Sequence, residues 1–140
     1  MYEYKCKIVK VVDGDTVDVD IDLGFGIWLR NERVRLYGID TPESRTRNKT
    51  EKRYGLYASA FLKNALGTDC VLRTQKDRSG KFGRVLGEFI VFDHANDRYT
   101  SVKDIMIREH IGVEYHGQSK EDIQEQHLKN RELLTLPEGY

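Results

Sequence analysis

A chain of 140 residues, 39% of them apolar and 33% charged, can bury roughly 70% of its unfolded surface, which predicts one domain over residues 1–140 without disulfide or metal staples. Basic and acidic residues number 23 each, for zero net charge, which excludes a wholesale affinity for polyanions but not a local one. No apolar run reaches the length of a membrane span, and Met1 to Lys7 lack a signal peptide's hydrophobic region, so the expected setting is intracellular, with no membrane partner.

In chain order, Lys5 to Val12 reads as a strand, with Val9, Val11 and Val12 β-branched and a partial period of two. Asp13-Gly14-Asp15 makes a tight turn in which Gly14 supplies backbone freedom. Thr16 to Ile21 alternates, with Val17, Val19 and Ile21 on one face and Thr16, Asp18 and Asp20 on the other, as in a strand with one wet face. After a turn at Gly24-Phe25-Gly26, the stretch Ile27 to Ile39 holds a third strand. It must end near Asp40, because Pro42 cannot donate to a ladder and pushes Thr41 out of the helical region.

Ser44 to Lys52 is a polar, basic loop. From Tyr54 the period changes to 3.6, with Tyr54, Tyr57, Ala58, Phe61, Leu62 and Leu66 on one helical face and Gly67 as its C-cap. Cys70 to Thr74 is a short strand, Asp77 to Lys81 a hairpin turn, and Arg84 to Phe92 a strand with a bulge at Gly87. After a turn at Asn96 to Arg98, Ser101 with Asp104 makes a capping box for a second helix. Ser119 with Asp122 opens a last, polar helix over Lys120 to Leu134. The predicted architecture is α+β: a five-stranded antiparallel OB-like β-barrel with three α-helices.

Charge is segregated despite the zero total. Acids gather in Asp13 to Asp22 and from Glu109 onward, and bases in Arg30 to Arg53 and Arg73 to Arg84. Cys6 and Cys70 fit no metal spacing; they would pair if neighbours, or sit as two buried thiols. No exposed apolar face is expected, which predicts a monomer.

The chemistry concentrates in Arg33 to Glu43. A strand end that carries Arg35, Asp40, the Thr41 carbonyl and Glu43 could hold a hard metal ion beside a phosphate. Asp13 and Asp15 by themselves read as turn chemistry. A guanidinium such as that of Arg35 could bind two phosphate oxygens at once, as a lysine cannot. Arg45, Arg47, Lys49, Lys52 and Arg53 form a basic loop, either a solvated face or a phosphate-tracking arm. The histidines lack metal-ligand spacing, and His127 reads as a structural hydrogen-bonding residue of the last helix.

Val-Val-Asp-Gly-Asp-Thr-Val (11–17), Arg-Leu-Tyr-Gly-Ile-Asp-Thr-Pro-Glu (35–43) and Lys-Phe-Gly-Arg (81–84), in that order and spacing, resemble the staphylococcal nuclease (thermonuclease) family. Tyr-Gly-Leu-Tyr-Ala-Ser-Ala-Phe (54–61) and Glu-Gln-His-Leu (125–128) extend the resemblance. It implies a Ca²⁺-dependent, sequence-nonspecific endonuclease, acting on DNA and RNA with one Ca²⁺ ion and leaving 3′-phosphate ends. Carried over by position, Asp15, Asp40 and Thr41 would ligate the metal. Arg35 and Arg84 would contact the reacting phosphate, and Glu43 would handle the attacking water, as base or as positioner. Lys81, Phe82 and Tyr115 would touch the nucleotide.

Some features depart from that pattern. Phe82 stands where a Tyr is common, His116-Gly117 replaces an aromatic, and the hairpin from Gly24 to Asn31 is longer than expected. The competing reading is a non-catalytic OB-type module for single-stranded nucleic acid. An eroded module would have lost some of Asp15, Arg35, Asp40, Glu43 and Arg84, and all five are present.

Overall fold

The computed structural model describes residues 2–75 and 84–140. Its elements run β1 (Glu3–Asp13), β2 (Thr16–Gly24), β3 (Ile27–Leu36), β4 (Ile39–Asp40), α1 (Lys49–Leu66), β5 (Asp69–Gln75), β6 (Arg84–Asp93), β7 (Arg98–Ser101), α2 (Val102–Arg108), β8 (Val113–Glu114) and α3 (Lys120–Leu133). The main sheet has the order β3-β2-β1-β5-β6-β7, and a β3–β6 pairing closes the first five of these strands into a barrel.

The predicted α+β barrel with three helices is present, with one correction: the barrel is mixed, not antiparallel. β1·β2, β2·β3, β1·β5 and β5·β6 are antiparallel, but β3·β6 is parallel. The reason is topological. An odd number of strands in a closed ring cannot alternate in direction throughout, so one seam must be parallel. Here it falls where β4, α1 and β5 provide the long connection that parallel neighbours require.

The alternation in β2 holds. Val17 and Val19 are fully buried and Ile21 nearly so, each worth about 1.5–3 kcal/mol. A one-residue slip would drive Asp18 and Asp20 inward, so the register is fixed. Leu36, Leu62, Leu72 and Phe89 complete the barrel core and its contact with α1.

The third strand stops at Leu36, earlier than Pro42 alone would require. Gly38 takes φ +81°, which ends the extended run, and Ile39–Asp40 pair instead with Val113–Glu114 in a two-stranded ladder. Helix α1 starts inside the supposed basic loop, because the Asn48 side chain accepts the Glu51 N–H at 3.1 Å. The capping box at Ser101 does not form: Ser101 ends β7 opposite Ile90, and its hydroxyl is buried without a partner among the described residues. At Ser119 the cap does form, with Oγ accepting the Asp122 N–H at 3.1 Å. Gly87 sits in an unbroken β5–β6 register and makes room for Leu72, so it is a packing glycine and not a bulge.

Cys6 and Cys70 lie directly opposite in β1·β5 and are both free. The Cys6 thiol donates to the Cys70 carbonyl at 3.3 Å, and burial pushes it up to about 12. No helix among the described residues is long and apolar enough to cross a membrane. The expectation of no exposed apolar face fails at the β2–β3 hairpin, where Leu23, Phe25, Ile27 and Leu29 are all exposed. The hairpin runs past the end of the barrel, so its side chains have no core to join. The predicted turn at Asp77–Lys81 lies outside the described residues.

Candidate functional site

The Asp13-Gly14-Asp15 turn is built by its own first carboxylate, since Asp13 Oδ1 accepts the Asp15 N–H at 3.2 Å. Burial, then hydrogen bonding to Asp15 and repulsion from it, push the Asp13 carboxyl up to about 6. Asp15 is thereby aimed across the barrel end. Its carbonyl accepts the Leu36 N–H at 2.8 Å, and its Oδ1 and Oδ2 accept the Thr16 hydroxyl at 3.1 Å and the Thr41 N–H at 3.2 Å. Such an approach is open only to glycine at position 14, where a Cβ would lie 2.7 Å from both Thr41 Oγ1 and Ala58 Cβ.

Arg35, opposite Thr16 in the β2·β3 ladder, bends back over the strand end. Its Nη1 donates to the carbonyls of Leu36 and Ile39 at 3.0 and 2.9 Å. Asp15 Oδ2 lies 3.5 Å from Nη1, and Asp40 Oδ1 lies 3.8 Å from Nη2. Both Nη1 hydrogens are committed to the backbone, so the edge formed by Nη2 and Nε is what remains to meet an anion. With its side chain 18% exposed, the cation is held in place at the surface of a partly dry site.

Asp40 is fixed from the other side. His127 Nε2 lies 2.7 Å from Asp40 Oδ2, while Nδ1 is buried with no partner among the described residues. His127 is the buried residue of α3. Asn130, one turn on, donates to the Gly112 carbonyl at 3.1 Å, and Gly112 itself packs against Ile39 with no space for a side chain. The sequence identified His127 as a structural hydrogen bonder but not its partner. A lone histidine on an otherwise polar helix was the available signal.

The remaining expected residues divide by location. Thr41 is buried, and exposed Glu43 follows buried Pro42. A Cβ at Gly55 would collide with the Glu43–Ser44 peptide, so α1 seats that turn directly. Tyr115, 44% exposed, donates its N–H to the Gly38 carbonyl at 2.9 Å and so stands beside β4 at the same end. Arg84 is placed by its backbone: it pairs with Arg33 in the parallel seam, and Leu86 pairs with Arg35. Lys81 and Phe82 lie outside the described residues.

Asp15, Arg35, Asp40 and Thr41 therefore converge on one barrel end, with two carboxylates flanking one guanidinium. Among the described residues there is no cluster of three or more His, Cys, Asp or Glu able to hold a metal ion. The donor set that the resemblance implies, two carboxylates and the Thr41 carbonyl, would be all oxygen. That composition fits a hard divalent cation that keeps water in its remaining positions, and it does not fit zinc or a soft metal.

Residues 33–134 match the family model described as Staphylococcal nuclease homologue. The chain is 41% identical over 81 residues to a thermonuclease of Staphylococcus intermedius, covering 56% of this chain and 44% of the relative. It is 35% identical over 85 residues to the thermonuclease of Staphylococcus hyicus, covering 60% and 47%. An uncharacterised protein of Methanocaldococcus jannaschii is 31% identical over 113 residues, covering 67% and 51%. The chain spans about half the length of the curated relatives it matches.

Proposed function

The chain belongs to the family of staphylococcal nuclease homologues, and from that premise we propose that residues 1–140 work as one monomeric unit, a Ca²⁺-dependent, sequence-nonspecific endonuclease hydrolysing DNA and RNA to leave 3′-phosphate ends. The observation that carries the reading is the meeting of Asp15, Arg35, Asp40 and Thr41 at one end of the barrel. In this proposal the setting is intracellular.

Asp15, Asp40 and the Thr41 carbonyl would hold one Ca²⁺, which when bound supplies Lewis-acid polarisation of a phosphate oxygen. The chain's own groups account for the rest. Hydrolysis gathers negative charge on the equatorial phosphate oxygens as water attacks in line, and the free edge of Arg35 presents two N–H donors to that charge. Because Arg35 is already tied to two carbonyls, little reorganisation accompanies the step. Arg84 meets the same phosphate from the neighbouring strand. Glu43, held on the turn that α1 seats, orients the attacking water or takes its proton. Lys81, Phe82 and Tyr115 contact the nucleotide beyond the scissile bond.

The test is to incubate the purified protein with supercoiled plasmid and with single-stranded RNA, first with Ca²⁺ and then with a chelator. Both substrates should be cut, with 3′-phosphate ends, and chelation should stop the reaction. Intact strands after long exposure would remove the nuclease reading. Tight binding without cutting would move the chain to the alternative, a non-catalytic module for single-stranded nucleic acid.

A further inference from the structure

The far ends of β2 and β3 form an arm that the site does not use, and its composition is unusual for a hairpin tip in water. Leu23, Phe25, Ile27 and Leu29 are 41%, 104%, 58% and 42% exposed. Phe25 sits at the apex with φ +55°, between Gly24 at +85° and Gly26 at +74°. A bulky residue rarely adopts that conformation, and here no neighbour compensates it, since a Cβ on either glycine would find nothing within 4 Å. Isolated exposed apolar side chains are ordinary, but four within one short arm are not.

Behind the tip the chemistry changes. Trp28 lies opposite Asp22 and lines a cleft of about 600 Å³. Lys7 Nζ stands 5.7 Å and the Arg30 guanidinium 4.9 Å from its ring. Lys5 and Lys7 are exposed on the adjoining strand. Acids share this cluster: Asp69 lines the same cleft opposite Lys7 in the β1·β5 ladder. Asp20 accepts the Asn31 N–H at 2.8 Å and pairs with Arg30 at 3.1 Å, so Lys5 and Lys7 are the cations left for an outside anion. Asp22 accepts the Gly24 N–H at 2.8 Å. Trp28 and Arg30 alternate with Ile27 and Leu29 along β3, so the indole and the cations share one face of the arm, the aliphatic residues the other, and Phe25 stands at the apex.

We propose that this arm is an interfacial anchor that seats the chain on an anionic lipid surface. Phe25 and Ile27 at the tip enter the acyl boundary, Trp28 lies at headgroup depth, and Lys5 and Lys7 meet the lipid phosphates. The shape favours lipid over protein. A two-stranded convex tip offers far less than the roughly 800 Å² per side that a stable protein interface buries, whereas lipid closes around any contour. Leu23, Ile27 and Leu29 have no π-face for a base to stack on, and the Trp28 ring is already covered by Lys7 and Arg30, which leaves Phe25 alone as a stacking platform and favours lipid over a nucleic-acid strand. That no helix among the described residues is long and apolar enough to cross a membrane is no obstacle, because an interfacial contact needs none. Along β2 the arm stands roughly 26 Å from Thr16, at about 3.3 Å per residue, so the site end faces away from the surface. The inference is independent of the nuclease reading.

The chain's single tryptophan is a built-in probe. The intact protein should co-sediment with phosphatidylserine-containing vesicles and show a blue shift of Trp28 emission. Both effects should be weaker with phosphatidylcholine alone and should decline with added salt. The double variant Phe25→Ser, Ile27→Ser should lose vesicle affinity by tenfold or more with an unchanged melting curve, and Lys7→Glu should weaken binding to anionic vesicles. Failure of the parent to bind, or equal binding by the double variant, would overturn the proposal. So would analytical centrifugation showing a dimer that the double variant dissolves, because the arm would then be an interface between copies.

Discussion

Strands β2 and β3 have two ends, and the ends are built on opposite principles. At the end bearing Thr16 and Arg35, backbones approach so closely that Gly14, Gly55 and Gly112 have no room for a methyl group. Polar side chains there form a continuous series from Asp15 through Arg35 and Asp40 to His127. At the end bearing Gly24 and Ile27 the glycines face open space and the large side chains are apolar and wet. One ladder thus carries a region fixed by long-range contacts and one fixed only by its own hydrogen bonds. The difference teaches where charge can be held ready: fixed partners remove the cost of reorganising a cation or carboxylate, and at the packed end those partners come from distant segments, whereas on the arm they are its own strands.

The largest expected effect tests that contrast directly. Arg35→Ala should lower turnover by roughly 10²-fold or more, the usual loss when a preorganised charge stabiliser is removed. Arg35→Lys should recover little, because an ammonium lacks the planar fork. Phe25→Ser, at the other end of the same strands, should leave turnover in solution unchanged. A near-normal rate for Arg35→Ala would take the residue out of the chemistry and blur the distinction between the ends.

His127 sharpens the comparison one step further from the substrate. A partner that orients a ligating carboxylate typically accounts for about 10- to 100-fold in metal affinity. His127→Asn, too short to reach Asp40 Oδ2, should weaken Ca²⁺ binding by that order in titration calorimetry on the substrate-free protein. His127→Gln, whose amide extends toward the position of Nε2, should restore part of the loss. Equal affinities in all three proteins would make the 2.7 Å contact a matter of helix docking alone.

Much of this was legible in the residues. The period of two in Thr16 to Ile21 located a barrel strand correctly because burial of Val17 and Val19 dominates any local preference. That Asp15, Arg35, Asp40 and Thr41 would meet was expected from the resemblance carried by residues 11–17 and 35–43, and they do share one barrel end. What stayed hidden depends on contacts between distant segments. Nothing local announces that His127 reaches Asp40, that Gly38 ends β3 before Pro42 can, or that Ser101 closes a strand instead of capping with its hydroxyl. The parallel seam could have been derived, because five strands in a ring force it. The apolar tip was visible as a long hairpin, but its exposure depends on where the barrel ends.

A single added methyl should separate the two ends by its effect on turnover, although it strains both. Gly55→Ala drives a Cβ into the Glu43–Ser44 peptide, where neither helix nor turn can yield cheaply, and should cost about 1–3 kcal/mol in urea denaturation. It should also lower turnover, because Glu43 moves with that peptide. Gly26→Ala meets no atom and bears only the strain of φ +74°, about 1–2 kcal/mol, with turnover unchanged. Unaltered activity in Gly55→Ala would show that the turn carrying Glu43 is not seated by the helix as described.

Between the ends sits Asp18 opposite Arg33, joined by Nε–Oδ1 and Nη2–Oδ2 bonds of 2.9 and 3.2 Å. Arg33 hydrogen bonding holds the Asp18 carboxyl below its ordinary range against the opposing effect of burial. The sign follows from that direction: the pair adds stability above the unfolded carboxylate value of about 3.9, and the gain is lost as pH falls through the lower folded value. With the Arg33 side chain 51% exposed, solvent screening keeps the effect small. Arg33→Ala should therefore be slightly less stable than the parent at pH 7 in urea titrations, and the gap should shrink as pH drops below about 4. Lys10 is the other cation acting on Asp18. A gap that ignored pH would mean that Lys10 maintains the carboxylate and that the middle of the ladder, like the arm, is held by its backbone alone.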